Sequence, residues 1–155
     1  MQATRRTEIR SLVPAALLVL AGALVAMPAQ AEIIYYQLQL SGSQAGDGDG
    51  EAHGTLSIDT DTGRIVWGLY YSNIAAPTAM HIHRGAAGAG GGVIVPLNVE
   101  SKLGAGALTG TATADLDAVA EILGGAENFY VNIHTADFPR GALRAQLGAE
   151  WSAQN

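Results

Sequence analysis

The stretch Phe129-Tyr130-Val131-Asn132-Ile133-His134 decides the fold class. Apolar and polar residues alternate along it, and successive side chains on a β-strand point to opposite faces. Phe129, Val131 and Ile133 form an apolar face; Tyr130, Asn132 and His134 form a polar one. The same period runs through Thr78-Ala79-Met80-His81-Ile82-His83, where Met80 and Ile82 oppose His81 and His83. Both segments bury aliphatics and present imidazoles outward. If they lie in one sheet, three nitrogen ligands could converge on an open metal site; the alternative is that these are surface histidines holding loops by hydrogen bonds.

Working outward, the rest of the chain reads as more short strands separated by turn chemistry. Ile33–Leu40 places Ile34, Tyr36, Leu38 and Leu40 on one face, and Ala52–Asp59 turns Leu56 and Ile58 inward with His53 outward. Arg64–Tyr71 carries Ile65, Trp67, Leu69 and Tyr71 on one side. Val93–Leu97 is a short aliphatic strand whose Pro96 suits an edge. Ala107–Ala114 and Gly141–Leu147 complete the set. Asp115–Leu123 is the one helical stretch, with Asp115 as N-cap and Leu116, Val119, Ala120 and Leu123 as its apolar stripe. The expected fold is therefore an all-β, antiparallel, eight-stranded Greek-key sandwich or barrel with one short helix, superoxide-dismutase-like or immunoglobulin-like. Its expected core includes Ile34, Leu38, Leu56, Ile58, Trp67, Leu69, Ile82, Val131, Ile133 and Leu143.

The ends set the domain limits. Residues 1–31 combine Arg5, Arg6 and Arg10 with an apolar run from Ala15 to Met27 and a small-x-small site at Ala29-Gln30-Ala31. That is a secretory signal peptide, which predicts export to the periplasm or beyond the cell, with mature protein beginning at Glu32. The domain then runs from 32 to 148, with a tail at 149–155. From Glu32 onward the chain has five basic residues against thirteen acidic, a net charge of −8. Phosphate backbones need a basic patch, so nucleic acid is an unsuitable partner. No later segment is apolar enough for a membrane-spanning helix. The chain has no cysteine, which removes disulfides, thiolate ligands and cysteine nucleophiles together.

Few motifs rival the histidines. Asp47-Gly48-Asp49-Gly50-Glu51 lacks the later ligands of a calcium loop and reads as a hairpin turn. Gly85–Gly92 holds five glycines but no following Lys or Ser/Thr, so it reads as a flexible connection and not a phosphate loop. No Gly-x-Ser-x-Gly offers a hydrolase nucleophile. His53 has no second ligand near it in sequence and reads as solvated. Arg144 is expected to alternate outward beside Ala142 and Gln146, and it and Arg140 to pair with the acidic surface, or else to attract an anion to the histidine face.

AMHIHRGAAGAGGGVIVPL, from Ala79 to Leu97, and FYVNIHTADFPRGALRAQL, from Phe129 to Leu147, together resemble the CHRD (chordin) domain. The matching features are the His-x-His-x-Gly strand, the glycine-rich turn into a Val-rich strand, and the late Asn-x-His-Thr segment followed by Pro-x-Gly-x-x-Arg. Asp59 to Tyr71 fits as well, so the resemblance spans roughly Tyr35 to Leu147. It implies an exported or extracellular module and supplies no activity. A weaker resemblance is to copper/zinc superoxide dismutase, which sets a His-x-His on its fourth strand and a further copper ligand on its seventh. His81, His83 and His134 take those strand positions in the count above, a fold-level analogy. The zinc ligands and bridging histidine of that enzyme have no counterpart, because Arg84–Lys102 contains no His, Asp or Cys.

The residues thus point to a non-enzymatic metal-binding domain with His81, His83 and His134 as ligands at a surface site, copper favoured and zinc second. A protein-interaction module without metal is the alternative, and a copper-dependent dismutase-like enzyme is the third reading.

Overall fold

The structure, a computed structural model, describes residues 31–99, 101–102 and 106–148. The expected signal peptide, through Gln30, and the expected tail at 149–155 lie outside the described residues.

Among the described residues, nine strands and one α-helix follow the turn signals: β1 (Ile33–Ser41), β2 (Glu51–Asp59), β3 (Arg64–Ser72), β4 (Pro77–Arg84), β5 (Val93–Leu97), β6 (Ser101–Lys102), β7 (Ala107–Thr113), α1 (Leu116–Leu123), β8 (Phe129–Thr135) and β9 (Leu143–Gln146). The extra strand over the expected eight is β6, two residues long and too short to leave a periodic signature. Every pairing is antiparallel, in the order β5-β4-β8-β9-β1-β2-β3-β7-β6. The all-β, antiparallel expectation holds.

The β1–β9 junction consists of one register pair, Ser41 with Arg144. The inward faces of the sheet's two halves, on either side of that junction, share one core. Ile34, Leu38, Leu56, Ile58, Trp67 and Leu69 come from one half; Ile82, Val131, Ile133 and Leu143 come from the other. All ten are buried, as strand parity demands. Each fully buried aliphatic contributes about 1.5–3 kcal/mol of transfer free energy, so a register slip that exposed one face would be prohibitive.

The helix departs from its expected orientation. Asp115 has the extended backbone of an N-cap but makes no side-chain capping bond. Val119 and Ile122 are buried, Leu116 is 52% exposed and Ala120 also faces solvent. The two-turn helix, closed by Gly124, docks through Val119 and Ile122 with Leu123 partly buried beside them, and Leu116 is turned away. This helix carries the crossover from β7 to β8, and so delivers the chain to the second histidine strand.

Candidate metal centre

β4 and β8 are sheet neighbours. Their register sets Ala79 opposite His134, His81 opposite Asn132 and His83 opposite Tyr130. Equal parity then puts His81, His83 and His134 on one face, with Met80, Ile82, Val131 and Ile133 in the core behind them. One nitrogen from each ring could serve as a ligand, and the three lie within 4.8 Å of one another. Ring centroids are 4.9 Å apart for His81 and His134, 5.5 Å for His81 and His83, and 6.2 Å for His83 and His134. Bonds of about 2.0–2.1 Å to one ion place tetrahedral ligand nitrogens ~3.3 Å apart, so the widest pair would have to close by up to ~1.5 Å for all three to share an ion. His53 is elsewhere, on β2, exposed and stacked against Tyr70 at 5.9 Å.

The hydrogen bonds settle which nitrogens are free. His83 Nδ1 lies 3.0 Å from the Gly91 carbonyl, and His134 Nδ1 lies 3.0 Å from that of Pro139. Carbonyls only accept, so both Nδ1 atoms carry the proton and both Nε2 atoms keep a lone pair. His83 Nε2 is buried with no partner. His134 Nε2 accepts from His81 Nδ1 at 3.0 Å. An orphaned imidazole lone pair beside two more nitrogens fits a borderline metal ion, and the backbone carbonyls already hold two rings in ligating tautomers.

Electrostatics favour the neutral form of His81 and His83. Burial pushes the His81 pKa below its ordinary 6.5, and the nearby His134 and His83 push it further. Burial does the same to His83, opposed by its bond to Gly91 and aided by His134 and the Arg144 charge. No carboxylate or thiolate joins the group among the described residues.

The face around the trio is not the solvated surface that the alternation suggests. Tyr130, Asn132 and Arg144 are 5%, 6% and 7% exposed, and the three histidines are half-buried. Arg144 therefore corrects the expectation of an outward side chain paired with surface acids. It donates to the carbonyls of Ala89 (2.8 Å) and Ala86 (2.9 Å) and to Gln146 Oε1 (3.1 Å). Its guanidinium lies 3.5 Å over the Tyr130 ring, which stacks on His83 at 4.9 Å and 7°. Gln146 in turn donates to the carbonyls of Gly85 and Glu127. The glycine-rich connection is thus fastened from beneath, and the Gly91 carbonyl is held on His83.

On the other flank, Gly141 has φ +131°, and a Cβ there would lie 2.5–2.6 Å from the Asn132 amide. Only glycine lets the 136–141 turn close over β8 and bring Pro139 to His134. These supporting groups carry little signal of their own in the sequence. The usable one is that Asn132 and Arg144 face each other across β8 and β9, which puts both on the histidine side.

The family model of the CHRD domain matches residues 36–147. The chain belongs to the CHRD domain family. The match runs from within β1 to the residue after β9, so it takes in both histidine motifs. No curated protein and no solved structure matches the chain. Within this CHRD domain the His-x-His stands on the fourth strand, as counted from the sequence. His134 stands on the eighth and not the seventh, because β6 intervenes.

Proposed function

We propose that this CHRD domain is an exported, non-enzymatic metal-binding module in which His81, His83 and His134 each give one imidazole nitrogen to a single ion. Copper is the first choice and zinc the second, since three neutral imidazoles suit both and the chain offers no thiolate. The observation that carries the proposal is the buried, unpartnered Nε2 of His83 within 4.8 Å of its two counterparts. His83 and His134 would enter through Nε2 with Nδ1–H held on backbone carbonyls. His81 would move the proton that it now donates to His134 from Nδ1 to its own Nε2, and so enter as a neutral imidazole through Nδ1. A bound ion would supply a Lewis-acid or redox centre there; the chain's residues hold it and keep it partly from water.

The signal-peptide pattern at 1–31 supports a periplasmic or extracellular location, in keeping with the CHRD family. Among the described residues no helix is long and apolar enough to cross a membrane.

The test is metal analysis of protein purified from the periplasm without a metal-binding tag, followed by copper(II) and zinc(II) titration of the stripped protein. One copper per chain, reversibly removed by chelator, is expected. Protein that carries no metal and shows no affinity for either ion would refute the reading and leave the interaction module in its place.

A further inference from the structure

Beside the trio lies a half-open cleft of about 420 Å³ whose wall includes Tyr130, Asn132, Asp137, Pro139, Arg140 and Arg144. It borders the metal centre through Tyr130 and Pro139 but does not include the histidines. Three features of its wall leave charge or hydrogen-bonding capacity unmatched among the described residues. Arg144 is a buried charge, yet no carboxylate lies within ion-pair distance among the described residues; its partners are two carbonyls and an amide. Those bonds use three of the five N–H groups of a guanidinium. A buried charge without a counter-charge is costly, and a polar interior is normally paired. Arg140 stands exposed on the same wall, also without an ion pair among the described residues. Asn132 is 94% buried and lines the cleft, yet its Oδ1 has no hydrogen-bond partner.

The two cations call for an anion. Asn132 Oδ1 calls for a donor, which a bare anion lacks. Asp137 on the exposed part of the wall also disfavours an occupant that is negative throughout. We infer that the cleft binds a small organic acid with a hydroxyl or amino donor beside its carboxylate: the carboxylate meets Arg144 and Arg140, and the donor meets Asn132. The volume suits a small molecule. The site lies beyond the metal reading and needs no ion.

Titrating metal-free protein, in chelator and low salt, with glycolate and separately with acetate tests this by amide chemical shifts of Gly90, Tyr130 and Gly141. Glycolate and acetate share the carboxylate and differ in the donor. Saturable glycolate binding is expected at concentrations up to ~50 mM, the weak range proper to so small a ligand. It should exceed acetate affinity about fivefold, the worth of one neutral hydrogen bond. Asn132→Leu should abolish that preference. Arg140→Gln, an exposed change that spares the fold, should weaken both ligands about threefold to fivefold. Absence of saturation, equal affinity for the two acids in wild type, or unchanged affinity in Arg140→Gln would each overturn the inference. Because metal is excluded throughout, failure here leaves the metal proposal untouched, and the reverse also holds.

Discussion

Replacing His134 by alanine tests the metal centre most directly. Four-ligand structural zinc sites bind with about 10–16 kcal/mol near neutral pH, so one ligand is worth ~2.5–4 kcal/mol. At 1.4 kcal/mol per decade that is a loss of about 10²–10³ in affinity. The widest nitrogen pair, at up to 4.8 Å, has to close by rotation of the rings, which sets the expectation at the lower figure, ~10². The change also removes two hydrogen bonds, to the Pro139 carbonyl and to His81 Nδ1. At about 1 kcal/mol each they cost ~2 kcal/mol of stability, which lowers the melting temperature and leaves the domain folded. The assay is competition against a chromophoric chelator at pH 7.5, with thermal melting in parallel. His53→Ala serves as the control, because its ring stacks on Tyr70 away from the trio. A folded His134→Ala protein that bound copper and zinc within threefold of wild type would falsify the three-histidine centre.

Further outcomes follow from the same geometry. His81 and His83 have folded pKa values below 6.5, so the unfolded chain binds more protons; their contribution to stability is full above pH 6.5 and is lost as pH falls through the depressed folded values. Metal affinity should fall over the same acid range, and pH-dependent melting with and without ion checks both; flat curves from pH 7.5 to 5 would contradict the assignment. Gly141→Ala should cost about 2–3 kcal/mol in urea unfolding, since φ is +131° and the new Cβ meets the Asn132 amide; a neutral change would mean the turn relaxes freely. N-terminal sequencing of the exported protein should begin at Glu32, and retention of Met1 on stable protein would refute cleavage.

Strand parity made the core and the shared face of the histidines legible. Ile82 and Ile133 had to be inside, so His81, His83 and His134 had to be on the other side, and the pairing of β4 with β8 brought them together. Parity separates two faces but does not say which is covered. Tyr130, Asn132 and Arg144 look like a solvated row, yet two connections fold over them: the glycine-rich loop held by Arg144 and Gln146, and the 136–141 turn admitted by Gly141. A loop's resting place depends on backbone carbonyls, which every residue carries alike, so composition could suggest mobility for Gly85–Gly92 and not its anchoring. The helix stripe held at Val119 and Leu123 and missed at Leu116 and Ala120, because two turns give too few residues to choose between a stripe on Leu116 and one on Ile122.

His81 and His134 meet across a separation of 53 residues. Bringing such distant segments together costs about 3.5 kcal/mol of chain entropy, (3/2)RT ln n, before any contact offsets it. An unfolded chain therefore offers an ion only the local His81-x-His83 pair, a weak chelate, and the third nitrogen arrives when β8 docks on β4. Ion capture would then lag behind chain closure and favour the closed state by mass action. A paramagnetic or coloured ion added during refolding would time the docking of those two strands, one step among the many that build the barrel.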